Sequence, residues 1–341
     1  MDPLVSVVIT AYNLGWCIED TLRSVFAQTY ENTEIIVVDD ASTDDTPVRM
    51  APFLDRVKYI RHSTNQGIAM QAEAGPARNT GIRQAEGEFI AFLDGDDLWE
   101  PEKLAVQVEA AQRFPHAGLI AVDGVSFAHE GGTILRSSLF YDYGDNLCQS
   151  LPEGSVLATD LYHRFLQGCV IDCPSQVMVP SKVFQAVGMF ASCKSDDYDF
   201  YLRLVAQFEV VLVKKRLVRY RIHTSSMSGA QDRQFFRFVQ PGITTWKKHL
   251  KECRAEVRPF IRQQIKKKLV TSAKRALEEG LCGNKKWVSH FLRGLLIKNL
   301  WSSGSPYVAF SLTRLWCPQW VVSILRPVTR RVMRVLQYPH P

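Results

Sequence analysis

The chain opens on LVSVVIT, residues 4–10, a β-branched and almost wholly apolar run that predicts a strand buried on both faces. Residues 11–29 then set Ile18, Leu22, Val25 and Phe26 at helical spacing, and TEIIVVDD, residues 33–40, reads as a second buried strand. EFIAFLDGDD, residues 88–97, predicts a later one. Strands alternating with helical patterns imply an α/β fold, a mostly parallel sheet flanked by crossover helices. In such open sheets ligands gather beyond the carboxyl ends of the strands.

That rule organises the polar positions. Thr10, Tyr12 and Asn13 follow the first strand, Asp39 and Asp40 the second, and Asp94, Asp96 and Asp97 the later one. Carboxylates gathered at one rim repel and raise one another's pKa unless a cation or several donors compensate. The rim therefore predicts a cation. Taken singly, Asp39, Asp40, Asp44 and Asp45 are explained by turns and helix caps, because DDASTDDT also holds Ser42 and Thr43. Asp94-Gly95-Asp96 is harder to explain that way, since two carboxylates leave a buried strand on either side of a residue that permits an unusual backbone angle. An Asp-x-Asp suits a hard divalent ion such as Mg²⁺, which takes about one or two carboxylates and leaves its other positions to water and substrate phosphates. The phosphate cradles G-x-x-x-x-G-K-[ST] and G-x-G-x-x-G are both missing after the first strand, where TAYNLG stands, which argues against a P-loop kinase or a dinucleotide dehydrogenase.

Composition adds a division of the chain. At 341 residues, 46% of them apolar, there is length for one sizeable α/β domain plus an extension. Residues 1–230 carry a net charge of −11 and residues 231–341 one of +17, so a boundary is expected just after YRIHTSSMSG, separating 1–228 from 229–341. The N-terminus lacks a basic stretch, apolar core and small-residue cleavage site, which predicts no signal peptide, a cytoplasmic location and reduced thiols for the eight cysteines. Cys169 and Cys173 have zinc-like spacing without a second pair at matching distance.

In the basic part, Ile261, Ile265, Leu269, Ala273 and Leu277 share one helical face, with Lys266, Lys267 and Lys274 on others. Trp246, Trp287, Trp301, Trp316 and Trp320 also fall there. Across residues 327–337, Val328, Val332, Val335 and Leu336 oppose Arg330 and Arg334, the build of a helix lying on an anionic bilayer. The same pattern equally fits an amphipathic helical cover with a solvated basic face. No window spans a membrane, because the most apolar stretch, residues 307–325, contains Arg314, Pro318 and Gln319. Nucleic acid is not expected as a partner, since no recognised module accompanies the charge.

The blocks VSVVITAYN, IIVVDDASTDDT, ARNTGIRQAEGEFIAFLDGDDLWEPEKL, SDDYDFYLRL and YRIHTSSMS occur in the order, and at about the intervals, of the family 2 inverting glycosyltransferases. The resemblance covers residues 4–228. It implies a GT-A fold, a nucleotide-sugar donor, Mg²⁺ or Mn²⁺, and a glycan or lipid-linked acceptor, with the tail then peripheral at the cytoplasmic membrane face. By the same resemblance Thr10 and Tyr12 line a base pocket, Asp40 accepts the base N–H, Asp39 supports that loop, and Arg78 faces the donor diphosphate. An ion pair with the acidic rim would equally place Arg78 there. Asp96 and Asp94 form the metal motif, Asp97 binds ribose or caps the next helix, and Trp99 packs. Asp197 is the matching general base, and Asp196 stands where the family usually carries Glu. The alternative is that Asp196, Asp197 and Asp199 are the acidic first turn of a helix. His223 matches a segment that closes over the donor and is a candidate metal or diphosphate contact. Two other classes stay open: a silent sugar-nucleotide binder, and a receiver-like phosphotransfer domain, which needs one acceptor Asp and a late-strand Lys.

Overall fold

The first apolar run forms strand β1 (Val5–Ala11), buried along its whole length. At roughly 1.5–3 kcal/mol for each fully buried Val or Ile, Val5, Val7, Val8 and Ile9 alone anchor the centre of the molecule. A computed structural model of the chain describes residues 2–70, 74–141, 147–224, 242–251, 253–265 and 267–268. After β1 come α1 (Ile18–Phe26), β2 (Thr33–Asp39), α2 (Thr46–Met50), β3 (Lys58–Arg61), α3 (Gln66–Ala69), α4 (Gly75–Gln84), β4 (Phe89–Asp94) and β5 (Leu98–Trp99). Then follow α5 (Lys103–Arg113), β6 (Leu119–Ala128), β7 (Ile134–Arg136), α6 (Leu147–Ser150), β8 (Val156–Thr159), α7 (Tyr162–Phe165), β9 (Val177–Pro180), α8 (Val183–Val187), α9 (Asp196–Val205) and β10 (Val210–Ile222).

The strands make one sheet in the order β3-β2-β1-β4-β9-β6-β10-β5, with β7 added to β6 and β8 to β10. Its first half, β3-β2-β1-β4, is parallel as expected. Beyond β4 the sheet is mixed rather than mostly parallel, because β9 runs antiparallel to both β4 and β6. That reversal returns β6 and β10 to the direction of β4. The rim beyond the carboxyl ends of β1, β2 and β4 is therefore also where β9 begins and where β6 and β10 end. Residues 173–176 and 221–223 are thereby delivered to it.

The chain resolves into two compact units, Met1–Cys253 and Arg254–Pro341. The first includes a helix over residues 242–251, held to α9 by Trp246 Nε1, which donates to Tyr198 Oη at 2.6 Å, and by the Lys248–Asp199 pair at 2.8 Å. In the second, Ile261 and Ile265 of the expected apolar stripe are buried. Leu269, Ala273, Leu277, the four later tryptophans, the 327–337 helix and the 228/229 boundary lie outside the described residues. No helix among the described residues is long and apolar enough to cross a membrane.

Candidate active site

Register sets the floor of the site. Thr10 of β1 pairs with Asp94 of β4, and Ala11 pairs with Asp39 of β2, so the polar residues that follow all emerge at one level. Among the described residues three that are not glycine adopt left-handed φ, Asn13 at 55°, Ala41 at 63° and Ser195 at 60°, and each lies in a loop feeding this rim. Strain of that kind persists where the surroundings over-determine the backbone.

The buried guanidinium of Arg78, on α4, is the centre of the arrangement. Its Nη2 meets Asp94 Oδ1 at 2.6 Å and its Nη1 meets Asp196 Oδ1 at 3.3 Å. Burial works against its charge, but Asp94 and Asp196 overcome this and hold it more firmly protonated than usual. Asp196 also accepts the Gly75 N–H at 2.5 Å, so its carboxylate lies where the N-termini of α4 and α9 meet. A Cβ at residue 75 would stand 2.6 Å from Asp196 Oδ2, and the approach is open only to glycine. Burial nevertheless pushes the Asp196 carboxyl up to about 7, against the pull of Arg78 and with a further push from Asp197. Asp197 is half-buried and likewise raised, chiefly by burial, while Arg78 opposes the rise. The acidic first turn is real, yet Asp199 serves a different purpose, pairing with Arg203 and Lys248.

Asp96 lies beside His223, whose Nε2 is 3.0 Å from Asp96 Oδ2. Arg221 extends this cluster: its backbone N–H donates to Asp97 Oδ1 at 2.9 Å, and its Nε donates to the Asp96 carbonyl at 2.8 Å. Its buried Nη2 makes no hydrogen bond among the described residues and stands 3.6 Å from Asp20 Oδ2. Trp16, 41% exposed, lies edge-on to His223 and His129 at 4.8 and 4.5 Å between ring centroids. No group of three or more His, Cys, Asp or Glu side chains is clustered to hold a metal among the described residues. The adjoining carboxylate and imidazole fit a divalent ion nonetheless, because Mg²⁺ and its relatives use few protein ligands when phosphates complete the set. Asp94 fits less well as a ligand, since Arg78 occupies its Oδ1.

Several expectations are corrected. Asp97 neither faces a ribose nor caps α5: it is fully buried, accepting from Ser175 Oγ at 2.5 Å and from the Arg221 N–H. Burial, then Asp96 and Asp94, raise its carboxyl well above the usual range. Gly95 does not take a left-handed angle; a Cβ there would stand 2.7 Å from the Thr10 carbonyl oxygen, so glycine is required by close packing. Asn13 braces two loops, its Oδ1 accepting the Thr43 N–H at 2.8 Å. Thr10 points its hydroxyl at Asp94 Oδ1, 3.4 Å away. Asp39 is saturated by the Ser42 N–H and the Tyr59 hydroxyl, in keeping with a loop support. Asp40 accepts from the Gln66 and Gly67 N–H groups at 2.8 and 2.9 Å and contacts His62 Nδ1 at 2.7 Å. Tyr12 alone of this group presents its ring outward, at 40% exposure. Trp99 packs as expected, its Nε1 donating to the Ser175 carbonyl.

Ser175 was not legible in the sequence. Its hydroxyl accepts the Asp94 N–H at 3.0 Å while donating to Asp97, locking the acidic turn. Nor did any pattern single out Asp172, half-buried on Arg136, or Trp16.

Glycosyltransferases of Rickettsia species match at 28–29% identity, and the chain spans only 31–65% of their own lengths. An Escherichia coli protein named as the UDP-Glc:α-D-GlcNAc-diphosphoundecaprenol β-1,3-glucosyltransferase WfgD is 27% identical over 241 residues, 69% of this chain and 84% of its own. Among solved structures, S. aureus TarS residues 1–349 with UDP-GlcNAc aligns at TM-score 0.61 and 17% identity over 89% of this chain and 82% of its own. The mannosyltransferase PcManGT of Pyrobaculum calidifontis, with GDP-Man and Mn²⁺, aligns at TM-score 0.55 and 15% identity over 99% and 89%. These likenesses show the GT-A fold. Residues 6–179 match the model described as glycosyl transferase family 2, which covers half of the chain, and the chain belongs to that family.

Proposed function

We propose that this chain moves a sugar from a nucleoside-diphosphate donor, a UDP- or dTDP-sugar, to an acceptor hydroxyl with inversion, in the synthesis of a cell-surface polysaccharide or glycolipid. The observation that carries the reading is the Arg78 bridge, 2.6 Å to Asp94 and 3.3 Å to Asp196, which joins the acidic strand end to the helix bearing Asp197. A base on one side of the anomeric carbon and a diphosphate held on the other is what in-line displacement needs.

In this reading the acceptor O–H gives its proton to Asp197 as its oxygen bonds the anomeric carbon and the bond to the diphosphate oxygen breaks. Its carboxyl, raised by burial, is a stronger base than an exposed aspartate. Asp96 and His223 would hold Mg²⁺ or Mn²⁺, which when bound supplies charge stabilisation to the departing diphosphate. Tyr12 stacks on the base, and Arg78 acts as a positioning residue, its guanidinium being engaged by two carboxylates. Asp40 shapes the loop beside the base pocket. A lipid-linked acceptor is supported by the name of the WfgD relative and by the basic segment.

A thermal-shift panel of nucleotide sugars with and without Mn²⁺, followed by release of nucleoside diphosphate on adding glycoside acceptors, tests this. Stabilisation by one donor class is expected. No shift with any nucleotide sugar in either condition would overturn the reading. A silent binder would bind donor yet show no turnover that Asp197→Asn removes.

A further inference from the structure

Tyr201 is fully buried on α9, four residues after Asp197. Residues so spaced share a helix face, and Asp197 is the first of the charges that, after burial, hold the proton on the phenol. Phe165 and Phe200 enclose the ring, at 6.1 and 6.0 Å between centroids. Its hydroxyl nevertheless makes no hydrogen bond among the described residues. A buried hydroxyl left unbonded is a standing cost and calls for an explanation. Asp197 offers the complement. Its Oδ1 accepts the Tyr198 N–H at 2.6 Å, and among the described residues no other donor reaches the carboxylate.

We propose that Tyr201 is a positioning residue for Asp197: its hydroxyl donates to the free oxygen of the ionised carboxylate and holds it towards the acceptor. The inference rests on the reading of Asp197 as the base. The groups around the pair are few. Arg78 favours the ionised form, while Asp94 and Asp172 oppose it, and Asp196 titrates beside it. Cys169 and Cys173 are held as neutral thiols by burial and by nearby carboxylates. Among the described residues, that leaves Arg78 as the cation acting on Asp197 and the phenol as the one side-chain donor unassigned beside it.

The test is Tyr201→Phe in the full chain, read in two ways. In protein labelled with ¹³C at aspartate carboxyls, with the Asp197 signal identified by its loss in Asp197→Asn, the Asp197 midpoint should rise by about one pH unit, the worth of a hydrogen bond to a charged group. The acid limb of the kcat/KM profile should rise by the same amount, so that turnover below that limb falls about tenfold with donor KM unchanged. Uniform 3-fluorotyrosine, a stronger donor, should move the midpoint down and provides a second route if the phenylalanine variant folds poorly. A midpoint unmoved by either change overturns the proposal. Parental turnover by Asp197→Asn would sink the base reading instead, while the carboxyl titration would still decide whether Tyr201 bonds Asp197.

Discussion

Arg78→Met replaces the one cation between Asp94 and Asp196 with an apolar side chain of similar length. Removing one partner of a buried pair costs about 3–5 kcal/mol, because the other charge is left uncompensated. The low end applies, since Asp94 keeps 24% exposure and can hydrate, whereas Asp196 at 1% cannot. A loss of about 3 kcal/mol corresponds to roughly 6–12 °C in Tm for a unit of this size. The pH dependence identifies the cause. The folded-state value of Asp196, about 7, already lies above its unfolded value, and burial without Arg78 raises it further. A group raised on folding stabilises fully below its unfolded pKa and loses that contribution as pH climbs through the folded one. The variant's deficit should therefore stay small up to about pH 6 and widen as pH climbs past the parent's value of about 7, reaching full size roughly two units higher, since one unit is worth about 1.4 kcal/mol. Urea melts across that range provide the measurement. A variant as stable as the parent at pH 8, or a deficit constant with pH, would refute the bridge as the element that makes the acidic rim tolerable.

Asp197→Asn should lower kcat by about 10²–10⁴ while leaving donor binding unchanged, measured by diphosphate release and by calorimetry. Asp96→Ala should abolish the Mn²⁺-dependent part of donor stabilisation in a thermal-shift assay and leave the protein folded. Tyr12→Ala should weaken uridine-nucleotide binding by about 1–3 kcal/mol, the worth of one base stacked on an aromatic ring. Gly95→Ala should destabilise the fold by roughly 1–3 kcal/mol in denaturant, since its Cβ meets the Thr10 carbonyl rather than a movable side chain. The full chain should sediment with phosphatidylglycerol vesicles and be released by salt; unaltered binding at high salt would count against the basic segment as the anchor.

Where burial was uniform, sequence and structure agree. The run at β1 could only be a central strand, and the apolar spacing of Ile18, Leu22 and Val25 could only face it. The convergence of acidic loops on one rim also followed from strand direction alone. What no pattern revealed was how these carboxylates are satisfied. Asp97 and Asp39 are satisfied by Ser175, Arg221, Ser42 and Tyr59, partners up to 124 residues away that no local pattern reveals. The reversal of β9 was equally hidden, because VMVP has the same apolar look in either direction. That reversal is what brings Ser175 to the rim, and β10, returned to the direction of β4 beyond it, brings His223 beside Asp96.

The backward strand has a consequence for how such a protein can change. Because β6 finishes and β9 starts on the ligand side, the connection between them leaves from that side and returns to it, adding β7 and β8 to the sheet on the way. On the proposed function, insertions at its exposed turns, such as the one at Gly131 and Gly132, can alter acceptor preference without threading the central layer.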